Sequence, residues 1–358
     1  MRFLLLNRFG PDSGAPTGRL LGELADHLRA QGHEVSLLAA DRVYGGTRKG
    51  WLRWFQELRA HGILLWKSLF HARVDIVLSL TSPVCLLLTA DLAARRHRAR
   101  SWHWAMDLYP DLATGLGQLP ASAARPLRAM MRRAYSRAAV VALDGDMRDH
   151  LRALYGKEAA VIAPWPPPLS WPIPLPRAGD AATATWLYSG NLGQAHEVEV
   201  LLRAQQLLEK EGTPATLVLQ GSGAQWEASQ AAARVLGVAR VVWRPPVPEA
   251  ELTASLLAAG VLIVTRKPET KGLLWPSKLA LALLSGKPIL WIGDTEGATA
   301  QTLREGGHGV FAPGQIPEIA AWLRGKFTTA ENSPGPQPVE PVRSAALRQW
   351  DQLLAAQD

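Results

Sequence analysis

Residues 264–290 combine the residue types that bind phosphate. An apolar stretch that ends at Val264 leads into a loop with two cations, Arg266 and Lys267. Gly272 follows, and Lys278 stands where a second apolar stretch, of helical period, begins. Helix N-termini carry unpaired N–H groups and about half a positive charge, so they attract anions. The pattern predicts a strand–loop–helix–strand unit with a phosphate-binding loop, and the alternative is an ordinary crossover with a solvated loop.

The rest of the chain predicts an α/β architecture. Strand-length apolar stretches alternate with stretches of helical period, which favours parallel sheets with helices on both faces. The predicted strands are 2–6, 34–39, 75–80, 101–106, 139–143, 185–189, 216–220, 241–244, 261–264 and 288–292. The predicted helices are 19–31, 84–95, 122–137, 197–211, 224–236, 249–259 and 343–356, and 332–342 is a predicted loop.

The length and one proline-rich segment predict two domains. A chain of 358 residues is too long for one ordinary core. Residues 164–176 contain seven prolines, which make a stiff, extended segment. We therefore predict a first domain over 1–163, a linker over 164–178, a second domain over 179–328, and a loop with a terminal helix over 329–358.

Composition limits the compartment and the class. The one cysteine, Cys85, lies in an apolar stretch, which excludes a disulfide framework and predicts a buried thiol. The first residues carry too few apolar side chains for a signal peptide, and no run reaches the ~18–20 apolar residues of a spanning helix. No His, Cys and Asp cluster has metal-ligand spacing. We expect a cytoplasmic protein without a structural metal.

The positive charge lies in the first half of the chain. Residues 1–170 hold 23 Lys and Arg against 14 Asp and Glu, whereas the remainder is close to neutral. A basic half attracts nucleic acid, an anionic membrane or a phosphorylated substrate.

Within that half, residues 49–73 are basic, of helical period and rich in aromatic residues. Such a helix is typical of a membrane interface, and a helix packed on the first sheet is the alternative. The aromatic residues are Trp51, Trp54, Phe55, Trp66 and Phe70.

Four segments, in order, resemble GT-B glycosyltransferases of family 4, in particular the colanic-acid and capsular polysaccharide type. The loop carries Gly-x-x-x-Pro-Ser-Lys from Gly272 to Lys278, as in that branch. The other matching segments are NRFGPDSGA (7–15), LTSP (80–83) with WAMDLYPD (104–111), and YSGNLGQAHE (188–197) with GSG (221–223). The resemblance implies two Rossmann-like domains that face a cleft, with a C-terminal helix that returns to the first domain.

The resemblance also implies a donor site in the second domain. Glu269 falls at the first glutamate of the family's Glu-x7-Glu pair and would bind a sugar hydroxyl, whereas Ser277 replaces the second. Gln194 stands where many relatives have arginine. For His196, donation to a phosphate oxygen and a structural place at a helix start remain equal alternatives. The donor-binding residues implied are Gly14, Gly190, Asn191, His196, Gly221, Gly223, Arg266, Glu269, Gly272, Ser277 and Lys278.

Asp107 is the candidate catalytic residue. It ends a predicted strand of the first domain, and open α/β sheets place their sites at strand C-termini. In the family that the chain resembles, an acidic or histidine residue here commonly meets the acceptor, whereas the alternative is a turn or N-cap aspartate. Asp111 and His103 are weaker candidates.

These features predict a glycosyltransferase that moves a sugar, with retention, from a nucleoside-diphosphate sugar to an envelope-polysaccharide or lipid-linked glycan acceptor. We expect no cofactor, favour a UDP-sugar as donor, and expect an anionic membrane surface as a partner, but no nucleic acid. The alternatives are a non-hydrolysing nucleotide-sugar epimerase and an inactive sugar-nucleotide-binding protein. The glycines at 10, 14 and 18 do not have the G-x-G-x-x-G spacing of a dinucleotide site.

Overall fold

A computed structural model describes residues 1–43, 51–171, 184–328 and 335–356. The chain divides into two compact units. Unit 1 comprises Met1–Trp165, Gly272–Trp275 and Ser344–Asp358, and unit 2 comprises Pro166–Lys271 and Pro276–Arg343. Residues 172–178 of the predicted linker lie outside the described residues, and the predicted domain boundaries stay a prediction.

Unit 1 contains a six-stranded parallel sheet in the order β2-β1-β3-β4-β5-β6. Its central strands are continuous apolar runs because helices cover both faces. The strands are β1 (Arg2–Phe9), β2 (Glu34–Asp41), β3 (Ile76–Ser79), β4 (Arg100–Trp104), β5 (Ala138–Ala142) and β6 (Ala160–Val161). The helices are α1 (Pro16–Ala30), α2 (Trp51–Leu69), α3 (Leu86–His97), α4 (Asp111–Gly115), α5 (Ala121–Arg137) and α6 (Gly145–Tyr155).

Unit 2 repeats the same plan. Its six parallel strands run in the order β12-β11-β10-β7-β8-β9. The strands are β7 (Thr185–Asn191), β8 (Thr216–Ser222), β9 (Val241–Arg244), β10 (Val261–Thr265), β11 (Ile289–Ile292) and β12 (Gly309–Phe311). The helices are α7 (Glu199–Lys210), α8 (Trp226–Leu236), α9 (Glu249–Leu257), α10 (Lys278–Leu284), α11 (Ala298–Glu305) and α12 (Ile316–Thr328). The predicted α/β class with two parallel sheets is confirmed.

The terminal helix α13 (Glu340–Ala355) packs against the core of unit 1. The ring of Trp350 lies 6.2 Å from that of Trp102 and 5.1 Å from that of Trp104, centroid to centroid. The predicted return of the C-terminal helix to the first sheet is therefore confirmed. The helix begins at Glu340, three residues before its predicted start, so the end of the predicted loop 332–342 is helical.

The structure differs from the predicted elements at two kinds of position. Helix α3 was expected from Val84 but begins at Leu86, because Cys85 before it adopts a left-handed conformation with φ of 63°. The elements that escaped prediction are α4, α6, β6, α11, β12 and α12. Cys85 is buried as predicted, and burial raises the pKa of its thiol to about 12, so it is inert at neutral pH.

Candidate functional site

Most of the predicted donor residues meet at the carboxyl ends of β7, β8 and β10 in unit 2. From β7 the chain moves outward to β8 and β9, and then returns to β10 on the other side of β7. The gap between β7 and β10 is thus the topological switch point of this sheet, where ligands of open α/β sheets bind.

Glycines open the backbone at this point. Gly190 and Gly221 end the neighbouring strands β7 and β8 and are register partners. Gly190 has φ of 134°, and a Cβ there would lie 2.6 Å from Cε of Lys278. Gly221 has φ of 147°, and a Cβ there would collide with the carbonyl of Gly190. Glycine is therefore required for the lysine to cross the end of β7 and for the two strand ends to stay close.

Lys278, the first residue of α10, is the cation of this cluster. Its Nζ lies 4.8 Å from the ring centroid of Tyr188 and 3.3 Å from Nε2 of His196. In the part of the chain that the structure describes, no carboxylate pairs with it. Burial lowers the pKa of Lys278 to about 8. A half-buried cation without a counter-charge is stabilised by any anion that reaches it.

His196 positions this lysine. Its Nδ1 lies 2.7 Å from the carbonyl oxygen of Thr265, which can only accept, so Nδ1 carries the proton. Nε2 is then a bare acceptor that faces the Lys278 ammonium. Burial, together with the Lys278 charge, lowers the pKa of His196 to about 3, so the ring is neutral. The ring has no N–H left for a phosphate oxygen, so of the two alternatives for His196 the contacts support the structural place.

The charge of Arg266 is not part of this cluster. It is fully buried, its guanidinium bonds Asp294 through Nε at 3.2 Å and Nη2 at 2.5 Å, and it stacks on Trp291. The sequence placed it in a solvated loop because Asp294, 28 residues later, was not recognised as its partner. Arg266 is a structural cation in unit 2, which corrects its place in the predicted donor set.

The remaining predicted donor residues of unit 2 lie at the surface or in its turns. Glu269 is exposed on a 3-10 turn (Pro268–Thr270), and Ser277 is exposed before α10 without a side-chain cap. Asn191 is exposed at the end of β7, and a Cβ on Gly223 would lie 2.6 Å from the backbone nitrogen of Leu192. Helix α10 has seven residues and begins at Lys278.

Gly272, like Gly14, belongs to unit 1. It adopts φ of 69°, and a Cβ there would lie 2.7 Å from the carbonyl oxygen of Asp146 in α6. The same segment pairs with the residues after β4: Asp107 forms an antiparallel bridge with Leu274, and the Leu108 N–H donates to the Leu273 carbonyl at 2.8 Å. Gly272 is thus part of the surroundings of Asp107.

Asp107 is half-buried at the carboxyl end of β4. Its backbone N–H and that of Met106 donate to Oγ1 of Thr81 at 3.3 and 2.9 Å. Among the described residues no side chain bonds its carboxylate. Burial raises the pKa of Asp107 to about 6. A carboxylate with that pKa is mostly ionised at pH 7 and can exchange a proton near that pH.

The weaker candidates of unit 1 have structural partners. His103 is buried, bonds Ser79 at 2.9 Å, and burial lowers its pKa to about 3. Asp111 is buried and accepts from Arg128 at 2.5 Å and from the Tyr155 hydroxyl. Gly14 ends a 3-10 turn with φ of 79° and open space beside it.

The described ranges contain neither a metal-binding cluster nor a helix that could span a membrane. In residues 1–43, 51–171, 184–328 and 335–356, no group of three or more His, Cys, Asp and Glu has the geometry to hold a metal ion. Over the same ranges, no helix combines the length and the apolar composition that crossing a membrane requires.

Sequence reasoning missed Tyr188, which lies beneath Lys278, and Asp294, which neutralises Arg266. Asp294 lies two residues after the end of β11, so the rule that polar residues at strand ends are functional candidates would have singled it out. The stacking of Tyr188 has no sequence signal, because it depends on Lys278 returning across β7.

Comparison with known proteins places the fold. No protein-family model matches the chain. No curated protein sequence matches it. Among solved structures, sucrose-phosphate synthase from Thermosynechococcus elongatus is similar at a TM-score of 0.70 and 16% identity, with 99% of each chain covered. The apo lipopolysaccharide outer core galactosyltransferase WaaB is similar at 0.65 and 14%, with 100% of each chain covered. HepE from Anabaena, solved with UDP, is similar at 0.63 and 15%, over 100% of this chain and 99% of that one.

These likenesses extend over the whole chain and confirm the predicted fold. The protein has the GT-B fold, with two Rossmann-like parallel-sheet units.

Proposed function

We propose that this protein is a glycosyltransferase that uses a nucleoside-diphosphate sugar, with a UDP-sugar favoured. The observation that carries the proposal is the unpaired, half-buried Lys278 at the switch point of unit 2, beside strand ends that glycine keeps open. The GT-B structures to which the chain is similar include one solved with UDP, which supports the choice of donor.

Sugar transfer requires that the charge developing on the leaving group be stabilised. When the sugar leaves, negative charge grows on the departing diphosphate, and a fixed cation nearby stabilises that charge. Lys278 is held for this by His196, which accepts from its ammonium, and by the face of Tyr188. The anion replaces the solvent that the half-buried ammonium lacks, so the interaction gains from the same burial that lowers the lysine pKa.

In the proposed reaction, Asp107 interacts with the acceptor. Its carboxylate has no side-chain partner among the described residues and a pKa raised to about 6. We assign it to the acceptor hydroxyl, which it orients as a hydrogen-bond acceptor. For the acceptor itself we propose a polyprenyl-diphosphate-linked glycan or another envelope-polysaccharide precursor, on the resemblance in the sequence, and we propose transfer with retention.

Two measurements test the function. A thermal-shift screen against UDP- and GDP-sugars should show one donor class that stabilises the protein, by ~2.7 kcal/mol at 100 times its Kd. Radiolabel from that donor should then pass to a bacterial lipid extract, with the anomeric configuration read by NMR. No stabilisation by any nucleotide sugar would sink the proposal.

The same pair of measurements separates the alternatives. An epimerase would change the donor sugar without any lipid extract. An inactive binding protein, which Gln194 and Ser277 suggested, would bind the donor and transfer nothing. Neither alternative is favoured by the structures to which the chain is similar, two of which carry names of sugar-transferring or sugar-phosphate-forming enzymes.

A further inference from the structure

We infer that the solvent-facing side of helix α2 is a docking surface for an anionic lipid bilayer. The α2 outer face is defined by five large apolar residues, and their exposed fractions are too high for packing against the sheet: Trp54 60%, Phe55 61%, Leu58 69%, Trp66 67% and Phe70 71%. The proposed lipid-linked acceptor motivates the choice of occupant, but the surface itself is independent of the donor site.

The opposite side of α2 explains why these residues are not core. Ala60 and Leu64 are fully buried, and Leu64 packs with Leu4, Leu6 and Val77 in the unit 1 core. Buried and exposed positions alternate at the helical period, so packing on the first sheet accounts for one side of α2, while the aromatic side remains outside. Trp51, which the sequence analysis grouped with these aromatic residues, is not included in the α2 outer face because its side chain lies outside the described part of the structure.

The exposed apolar residues form a strip in two groups along the helix, Trp54, Phe55 and Leu58 near its start and Trp66 and Phe70 near its end. From residue 54 to residue 70 the helix advances about 24 Å. Near its end the rings of Trp66 and Phe70 lie 4.4 Å apart, centroid to centroid. A strip of this length parallel to a helix axis fits the interface of a bilayer, where the helix lies in the plane of the headgroups.

The charges around the strip are complementary to anionic lipid. The one carboxylate of α2, Glu57, is buried, accepts from Arg8 at 2.5 Å and from the Val84 N–H at 2.9 Å, and so faces inward. The described ionised side chains of residues 52–73 that reach solvent are cations: Arg59, which is paired with Asp41, and Lys67 and Arg73, which have no carboxylate partner among the described residues.

A second copy of the chain is a poorer occupant than lipid. In a two-fold contact each residue near the axis meets its own counterpart, so a shared α2 outer face would bring Lys67 and Arg73 towards the same cations of the other copy. Anionic headgroups neutralise these charges, while the apolar rings bury among the acyl chains.

The test is co-sedimentation of the full chain with phosphatidylcholine vesicles that contain 0 to 40% phosphatidylglycerol, without nucleotide. We expect binding that rises with phosphatidylglycerol and falls between 50 and 500 mM NaCl. The variant Trp54→Ala/Trp66→Ala/Phe70→Ala should lose at least tenfold in partition coefficient at every salt concentration, because burial of rings is not screened. The matched control Met130→Ala/Val235→Ala/Val242→Ala removes exposed apolar residues elsewhere and should bind like wild type.

A second variant tests the charge. Lys67→Gln/Arg73→Gln should lose about fivefold per charge at 50 mM NaCl and much less at 500 mM. Circular dichroism and thermal midpoints should match wild type for all three variants, since none changes a buried residue.

Three results would overturn the inference. One is wild type that does not sediment with anionic vesicles, and another is an aromatic variant that binds as well as wild type. The third is a dimer in light scattering that the aromatic variant converts to monomer, without vesicle binding. Failure of the donor screen would sink the proposed function instead, and it would leave the vesicle result unchanged.

Discussion

The carboxyl ends of the two sheets carry opposite charges that are held in a similar way. In unit 2 the group is the Lys278 ammonium, and in unit 1 it is the Asp107 carboxylate. Neither has a side-chain charge partner in the described residues, and burial moves each pKa toward neutrality, to about 8 and about 6. A group that the fold leaves charged and unpaired is prepared for a ligand, in one case an anion and in the other a hydroxyl or a proton.

A second contrast lies within unit 2, between two cations that look alike in the sequence. Arg266 and Lys278 both follow the strand β10, yet Arg266 is fully buried with Asp294, whereas Lys278 has no carboxylate partner within the described ranges. A cation in a loop therefore indicates a ligand site only when no carboxylate of the same fold lies within ion-pair distance of it.

The largest effect is expected from Asp107→Asn. The change keeps size and removes the charge, so turnover should fall at least a hundredfold while nucleotide affinity stays the same. In wild type, turnover should rise with pH through about 6, because the active form is the ionised carboxylate. Steady-state kinetics and calorimetry measure the two quantities.

Asp111→Asn is the matched control for this prediction. Asp111 bonds Arg128 and Tyr155, so its loss should lower the thermal midpoint rather than specifically remove turnover. Wild-type turnover in Asp107→Asn would make Asp107 a structural turn aspartate.

The next effect is on stability. Arg266→Met leaves Asp294 charged and unpaired in the interior, which should cost ~3–5 kcal/mol of unfolding free energy. Urea denaturation measures it, and the double variant Arg266→Met/Asp294→Leu should recover much of the loss. If Arg266→Met were as stable as wild type, the buried pair would not hold this part of unit 2 together.

Lys278→Ala should act on binding instead. Loss of a charge-assisted hydrogen bond to the diphosphate should weaken nucleotide binding by ~1.5–3 kcal/mol, with unfolding free energy little changed. Lys287→Ala removes another half-buried lysine of unit 2 and should leave the affinity unchanged. Unchanged affinity in folded Lys278→Ala would remove this lysine from the site.

Sequence alone predicted the architecture because it is carried by local signals. Apolar runs of strand length, helical periods and glycines at strand ends are each visible within a few residues of sequence. Strand β7 with Gly190 and strand β10 before Arg266 were predicted from such local signals. Among the elements that escaped, the two-residue β6 and the five-residue α4 are too short for a period to show.

The site was predicted less completely because its chemistry depends on long-range pairs. Asp294 lies 28 residues from Arg266, and His196 lies 82 residues from Lys278. No local pattern in the sequence distinguishes Arg266, which a carboxylate neutralises, from Lys278, which has no carboxylate partner among the described residues. The same holds for Gly272, whose motif is shared with Lys278 but whose backbone packs in unit 1.

The smallest effect is the pH dependence of nucleotide affinity, and it tests the lysine most directly. Only the ammonium form attracts a diphosphate, and the folded protein holds that form below about pH 8, because burial lowers the lysine pKa from 10.5. Affinity should therefore be nearly constant from pH 6.5 to 7.5 and about tenfold lower at pH 9, since one tenth of the lysine is then charged. Lys278→Arg keeps its charge throughout this range and should show no such fall, whatever its absolute affinity. Titration of the nucleotide itself affects both proteins equally, so isothermal calorimetry of the pair isolates the lysine. A flat wild-type profile, or equal slopes in the two proteins, would show that the titrating cation of the site is not Lys278.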